Sequence, residues 1–387
     1  MKAVGVFPET KEIKMVEHEE PRLSSPTEVK LRVLEVGICG TDKEICAFEY
    51  GTPPKGSPYL LLGHESLSEV VETGGEVSRL KRGDLVVASV RRPCPHESCV
   101  ACRMGRQDFC FTGDFTERGI KEQHGYLTEF VVDDERYMNV LPAHLRDVGV
   151  LIEPLTIAEK ALTQVWQVQQ RLPWECPAPG GAQSNSSGAA QENKEGAGVH
   201  AVGCHRALAL GAGPVGLLGA MALTVAGFDT YVYSRESATS DKARLVESFG
   251  GTYISAETHA VEALAERVGG IDLVYEAVGA SGLAFEVMKY LDTNGVFVFT
   301  GVPGRKSPVT VDTDLLMRNL VLRNQVVIGT VNAGRDAFEA AVRDLEIFNH
   351  RWPQAVNSLI TSRVPIEEHR NLLLGKVGGI KNVIKLS

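Results

Sequence analysis

Apolar residues in the first part of the chain come in short runs, several alternating with polar ones. Val29-Lys30-Leu31-Arg32-Val33-Leu34-Glu35-Val36 alternates in part, and Ser68–Glu72, Gly83–Ala88 and Leu127–Val132 are further short runs bounded by glycine, charge or turn residues. A period near two marks half-buried strands, so this part is expected to be β-rich. A helical pattern follows from about Leu155 to Gln170. Residues 172–203 are small, polar and low in complexity, and bury too little to offset chain entropy, so they are expected to form an insertion. From residue 206 the pattern changes to alternating strands and helices. Buried strands are expected at Arg206–Leu210, Phe228–Ser234, Ile271–Val278, Gly295–Val302 and Val326–Asn332. The tail predicts a helix over Asp336–Phe348, a turn at Trp352–Pro353 and strand-like ends returning to the first part.

A chain of 387 residues is expected to form two domains. The division predicted is 1–171 with 336–387 returning to it, 172–203 as a linker, and 204–335 as an α/β unit. Residues 207–228 are uncharged and long enough to suggest a membrane span, but five glycines and Pro214 within them favour a glycine-rich turn. Met1–Pro8 has no long apolar core, so no signal peptide is expected. A net charge of −9 argues against a nucleic-acid partner. Of eight cysteines, four are clustered with metal-type spacing, which suggests thiols in a reducing cytoplasm.

The α/β part opens on Arg206-Ala-Leu-Ala-Leu-Gly211-Ala212-Gly213-Pro214-Val215-Gly216. Read as strand, turn and helix, this is a dinucleotide-binding fingerprint: Gly211 permits the turn, Gly213 a close approach of backbone to pyrophosphate, and Gly216 close helix packing. The next strand ends at Ser234-Arg235-Glu236, where a strict NAD reader has an acid for the ribose 2′-hydroxyl. Serine and arginine there favour a 2′-phosphate, so NADP is expected to be accepted and preferred; alternatively Arg235 only stacks on adenine. Ligands lie beyond the carboxyl ends of such strands, which makes Thr300, Val302, Thr330 and Asn332 candidates for nicotinamide or substrate contacts.

Metal chemistry is suggested upstream. Cys94, Cys99, Cys102 and Cys110, with gaps of four, two and seven residues, fit a closed four-thiolate zinc lobe, the alternatives being free thiols or two disulfides. Such a zinc has no open position and is structural. Cys39 lies beside glycines at a strand end, and His64-Glu65 follows an apolar run and Gly63. Cysteine, histidine and carboxylate are ligands of a catalytic zinc that keeps one position open, although a buried core cysteine and a satisfied histidine give the same pattern. Glu153 lies among apolar residues and needs a partner, for which a metal is one candidate.

With these pieces the chain resembles the zinc-dependent medium-chain dehydrogenases, and within them the glucose 1-dehydrogenases. The resemblance rests on Cys39-Gly-Thr-Asp42, Gly63-His-Glu65, the four cysteines, Gly105-Arg-Gln-Asp-Phe-Cys110, Gly113-Asp-Phe-Thr-Glu117-Arg-Gly119, Glu153-Pro-Leu155 and Ile328-Gly-Thr-Val-Asn332. It runs nearly end to end, with 172–203 outside it. It implies an α/β fold with an N-terminal GroES-like β-rich catalytic domain and a doubly wound Rossmann domain. It also implies oxidation of an aldose such as glucose or galactose at C1 to the lactone, with hydride passing to NADP or NAD. Two zinc ions per chain and a homodimer or homotetramer belong to the same expectation.

By position, Cys39, His64 and Glu65 resemble catalytic-zinc ligands, and Glu153 another ligand or a sugar contact. Thr41 matches the hydroxyl that relays the substrate's proton, and Glu117 and Asn332 the groups that hold the sugar. Ala212–Val215, Ser234–Glu236, Thr300-Gly301-Val302 and Thr330-Val331-Asn332 match the cofactor contacts. Sibling enzymes acting on a polyol, a secondary alcohol or threonine share fold and zinc. A non-catalytic cofactor- or metal-binding scaffold is the reading from another class.

Overall fold

The computed structural model describes residues 1–173, 206–304, 308–375 and 377–386. Apart from Leu172 and Pro173, the predicted insertion lies outside the described residues, as do Cys176 and Cys204. The chain forms two compact units: Met1–Lys160 with Ala212–Gly219 and Thr330–Ser387, and Ala161–Gly211 with Ala220–Gly329.

The N-terminal part is β-rich. Its strands are β1 (Lys2–Phe7), β2 (Glu12–Glu17), β3 (Glu28–Gly37), β4 (Leu60–Leu61), β5 (Glu65–Thr73), β6 (Leu85–Ala88), β7 (Arg91–Arg92), β8 (Thr116–Arg118), β9 (Glu122–Gln123), β10 (Phe130–Asp134) and β11 (Met138–Leu141). Helices α1 (Gly40–Cys46) and α2 (Val100–Arg103) interrupt them, and α3 (Ile152–Gln169) follows. Strands β2-β1-β4 and β7-β8-β9 form two small sheets. In β3 every second residue from Val29 to Val33 is fully buried, and from Val33 onward burial is nearly continuous. The strand is therefore half-buried at its start and enclosed where it reaches the candidate site.

The α/β part consists of β12 (Arg206–Leu210), α4 (Pro214–Val225), β13 (Asp229–Ser234), α5 (Asp241–Ser248), β14 (Thr252–Ser255), α6 (Leu264–Val268), β15 (Ile271–Glu276), α7 (Ser281–Met288), β16 (Leu291–Phe299), α8 (Thr313–Leu322) and β17 (Val326–Gly329). All six strands are parallel, in the order β14-β13-β12-β15-β16-β17. The order reverses between β12 and β15, which defines the Rossmann arrangement and puts its ligand crevice at the carboxyl ends of those two strands. Leu208, Leu210, Val274 and Phe297 are fully buried, as expected for parallel strands covered on both faces. The uncharged stretch 207–228 is thus a strand, a turn and a twelve-residue helix. Among the described residues no helix is long and apolar enough to cross a membrane.

The tail contains α9 (Arg335–Arg351), α10 (Pro353–Leu359), β18 (Ile360–Pro365), α11 (His369–Leu374) and β19 (Lys381–Lys385). Pro353 was expected in a turn but opens α10, since the first helical position tolerates a missing N–H. Strand β19 pairs antiparallel with β3 and completes the sheet β11-β6-β5-β3-β19-β18, with β10 also on β3.

Candidate functional site

Three segments of the first unit converge where β3 ends. Cys39 is the N-cap of α1, and its backbone N–H donates to Asp42 Oδ2 at 2.8 Å. Gly63, at φ +89°, makes the turn into β5; a Cβ there would lie 2.8 Å from Val36 Cγ1, so a side chain has no room. Its N–H donates to Asp42 Oδ1 at 3.3 Å, and His64 and Glu65 follow directly. Glu65 pairs in register with Gly37, and a Cβ on Gly37 would fall 2.2 Å from Glu65 Oε2. Lys381 of β19, 1% exposed, donates from Nζ to Glu65 Oε1 at 2.7 Å and Oε2 at 2.6 Å.

The result brings together Cys39, His64 and Glu65, whose ligand atoms all lie within 4.8 Å of one another. That spacing suits the ligands of a single cation. His64 Nδ1 is buried without a hydrogen-bond partner; Asp42 Oδ1 stands 3.6 Å away, an ion-pair distance. Burial disfavours the imidazolium, but Asp42 and Cys39 outweigh it and raise the His64 pKa well above its ordinary value. Glu153, on the first turn of α3, is buried near the same groups. Burial pushes its carboxyl up to about 7, Glu65 and Asp42 add to this, and His64 and Lys381 oppose it. Asp42, Glu65 and Glu153 are buried about this centre with Lys381, and thiol, imidazole and carboxylate together are a donor set that suits a divalent cation. Cys39 and His64 offer the freest donors, since both Glu65 oxygens already face Lys381. Thr41 Oγ1 lies 4.0 Å from Cys39 Sγ.

A second group flanks the first. Glu117 and Arg91 pair across β7 and β8, and Arg91 Nε donates to Glu117 Oε1 at 3.0 Å. Asn332 Nδ2 donates to the same oxygen at 2.9 Å. Asn332 has left-handed backbone (φ +59°), and its Oδ1 accepts from Ala333 N–H. Gly119 holds the Glu117 loop against the His64 segment, because a Cβ there would meet Gly63 O at 2.5 Å. Lys160 Nζ bonds Asp108 Oδ2 at 2.9 Å and Val331 O at 3.0 Å, fixing the loop that carries Asn332. Thr330 Oγ1 is buried without a hydrogen-bond partner.

Cys94, Cys99, Cys102 and Cys110 also gather within 4.8 Å of one another. The Cys94 N–H donates to Cys102 Sγ at 3.4 Å. Burial pushes the Cys110 thiol up, but the Thr112 hydroxyl and the backbone of Gly113 and Thr112 bring it down to about 6, within reach of the thiolate a metal takes.

In the α/β unit Gly211, at φ +98°, ends β12, and a Cβ there would meet Val278 Cγ2 at 2.6 Å. A Cβ on Gly213 would meet nothing within 4 Å, so its backbone is approachable. At the end of β15 the buried Glu276 carboxylate accepts from the N–H groups of Val278 and Gly279 at 2.8 Å and of Gly301 at 3.3 Å. Thr300 Oγ1 donates to Glu276 O at 2.7 Å. Val302 is exposed. Ser234 ends β13, and its hydroxyl donates to Glu236, whose carboxylate also binds Lys242.

Sequence reasoning did not single out Asp42, Arg91, Asp108, Lys160, Glu276 or Lys381. Asp42 left a signal, an acid at the third position of a helix that opens on a cysteine.

A β-rich domain with a Cys–His–Glu cluster, joined to a six-stranded Rossmann sheet, is the architecture of the zinc-type medium-chain dehydrogenases. Residues 25–143 match the alcohol dehydrogenase GroES-like domain family, and residues 183–386 the glucose dehydrogenase C-terminus family. The glucose 1-dehydrogenase of Methanocella arvoryzae is 35% identical over 100% of this chain and 99% of its own. That of Thermoproteus tenax is 36% identical over the same shares. The glucose dehydrogenase of Haloferax mediterranei, solved in complex with NADP, Zn and gluconolactone, superposes with a TM-score of 0.84 at 29% identity, covering 100% of this chain and 99% of that one. The chain belongs to the glucose 1-dehydrogenase family.

Proposed function

We propose that the protein oxidises D-glucose, and related aldoses such as galactose, at C1 to the aldonolactone, with NADP as preferred acceptor and NAD as a second. The observation that carries this reading is the Cys39–His64–Glu65 cluster beside the Arg91–Glu117–Asn332 clamp. Cys39, His64 and a carboxylate from Glu65 or Glu153 hold the catalytic zinc. Bound zinc supplies Lewis-acid polarisation, and bound NADP the oxidising power. Asp42, 3.6 Å from His64 Nδ1, holds the ring in place by charge, and a ring nitrogen of His64 would ligate the metal. Thr41 Oγ1 takes the proton of the C1 hydroxyl and passes it toward solvent. Glu117, fixed by Arg91 and Asn332, accepts hydrogen bonds from the sugar's hydroxyls, and Asn332 and Glu153 satisfy others. Gly211–Gly216 cradle the pyrophosphate, Ser234 and Arg235 face the adenosine ribose, and Thr300–Val302 and Thr330–Asn332 contact the nicotinamide side.

The four-cysteine lobe holds a second, structural zinc. Its unbridged thiols support a reducing, cytoplasmic setting. A homodimer or homotetramer with the β17 edge as a contact is the proposed assembly.

A steady-state panel of aldoses and polyols with both cofactors tests the activity. Glucose or galactose with NADP is expected to turn over fastest; faster turnover of a polyol, a secondary alcohol or threonine overturns the sugar assignment. Cys39→Ala is expected to lose turnover and one of two zinc ions per chain while NADPH binding persists, and full activity in that variant refutes the site.

A further inference from the structure

Behind the clamp of Arg91, Glu117 and Asn332 stands a carboxylate that the proposed reaction does not use. Asp108, its side chain fully buried, lies two residues before Cys110 at the edge of the four-cysteine lobe. Arg106 grips it twice, from Nε to Oδ1 at 3.0 Å and from Nη2 to Oδ2 at 2.9 Å. Lys160 of α3, 5% exposed, meets Asp108 Oδ2 at 2.9 Å, Asp108 O at 3.4 Å and Val331 O at 3.0 Å. An ammonium has three N–H donors, and each has an acceptor here. The Phe109 ring covers it, with its centroid 4.1 Å from Nζ. Asp108 thereby holds both ends of the short segment that carries Asn332. At one end Lys160 binds Val331 O. At the other, Arg106 Nη1 stands 3.3 Å from Asp336 Oδ2, and a Cβ on Gly334 would lie 3.1 Å from Arg106 Nε and from Asp108 Oδ1. Asn332, between them, has left-handed backbone, which a residue with a side chain keeps where its surroundings impose it. The same aspartate reaches Glu117 from the other direction. Arg91 Nη1 donates to Asp108 O at 3.4 Å while its Nε donates to Glu117 Oε1 at 3.0 Å. With the bond from Asn332 Nδ2 to that oxygen, the contacts form a closed ring through Asp108, Lys160, Val331-Asn332, Glu117 and Arg91.

A buried ion pair adds little stability over apolar groups of the same shape, but it fixes where its partners stand. We propose that Lys160, anchored by Asp108, is a positioning residue for the sugar. It acts through Val331 and Asn332, and sets the spacing between the Asn332 amide and the Glu117 carboxylate to which the sugar's hydroxyls bind. This rests on the aldose-dehydrogenase reading above, and extends its sugar site from the groups that meet the hydroxyls to the pair that mounts them. Asn332 and Glu117 bind hydroxyls that the reaction leaves unchanged. Their displacement therefore costs the bound sugar and its transition state alike, and shows in KM rather than kcat.

Steady-state kinetics of the intact protein on the aldose it turns over fastest, with NADPH binding read by calorimetry, test the assignment. Lys160→Met keeps the length of the side chain and removes its charge and donors. It is expected to raise KM for the sugar about tenfold, the scale of a lost hydrogen bond to a charged group, with kcat and NADPH affinity within about threefold of wild type. Asn332→Ala cuts the ring at its far end and raises KM by itself. The double variant is expected to be no worse than Asn332→Ala, because the lysine acts through that residue. Losses that multiply in the double variant, or a fall in kcat and NADPH affinity as large as the rise in KM, mark Lys160 as a support of the fold at large and overturn the proposal. An unchanged KM in Lys160→Met overturns it too. Should that variant fail to fold, Asp108→Asn keeps the shape of the anchor and weakens its hold; it is expected to raise KM in the same direction, and an unchanged KM there overturns the proposal. A wild-type protein that turns over no aldose overturns the sugar reading itself, and this proposal with it.

Discussion

Glu159 shows what a single buried acid does to this protein. It lies in α3 beside Asp344 of α9, and its Oε1 is buried with no hydrogen-bond partner. Burial pushes its carboxyl up to about 9, Asp344 adds to the rise, and Arg343 opposes it. The folded chain thus holds this proton more tightly than the unfolded chain, where a glutamate titrates near its ordinary 4.5. The stability it contributes is complete below that value and is lost as the pH rises toward 9. A glutamine keeps the shape and removes the titration. Glu159→Gln is expected to melt with wild type near pH 5 and progressively above it as the pH approaches 8, read from thermal melts across that range. A constant difference at every pH contradicts the account.

At the scale of elements, the candidate metal cluster depends on the register of two strands. Gly37 of β3 is opposite Glu65 of β5, and the space a side chain would fill at Gly37 is taken by the Glu65 carboxylate. Gly37→Ala must therefore displace that carboxylate from Lys381, with the neighbouring His64 following. The expected result is one zinc lost per chain by elemental analysis, with the Cys94–Cys110 lobe still loaded; two zinc ions per chain in the variant would separate the metal from this register. The same pair shows what the sequence could reveal. Gly63-His64-Glu65 and the four cysteines are legible because their ligands are close in sequence and their spacing follows from ligand geometry. Lys381 is not, because it meets Glu65 across 316 positions through the pairing of β19 with β3, and a lone tail lysine resembles any solvated charge. Glu117 came from family resemblance, and Asn332, 215 positions away, from its place beyond a strand's carboxyl end as well, but the hydrogen bond between them and the Arg91 clamp became visible only in the fold. Apolar runs and glycine-rich turns disclosed five of the six strands of the Rossmann sheet and missed the short edge strand β14; their lateral order, which creates the crevice between β12 and β15, is a tertiary property.

For the whole molecule, the remaining question is how an open parallel sheet ends. Among the described residues, strand β14 is at one edge and β17 at the other. An edge strand has unpaired backbone donors and acceptors, and a chain that stays monomeric shields such an edge with charge, proline or a covering element. Here β17 is Val326-Val-Ile-Gly329, with neither charge nor proline, and Val327 is 37% exposed. The helix before it, α8, exposes Leu315, Met317, Val321 and Leu322, with Met317 and Val321 four residues apart on one helical face. Large apolar groups in contact with water are unfavourable, and gathered near an unpaired edge they favour burial against another surface. A second copy meeting this edge about a two-fold axis would pair β17 with its counterpart antiparallel and cover both helices at once, since an isologous contact repeats each apolar residue on both sides. Replacing Met317 and Val321 together with glutamate places like charges opposite each other across such an axis. The double variant is expected to sediment at the mass of one chain while the wild-type protein sediments at twice that mass or more, with far-UV circular dichroism unchanged. A wild-type protein that sediments as a single chain at micromolar concentration would show that this edge is left bare.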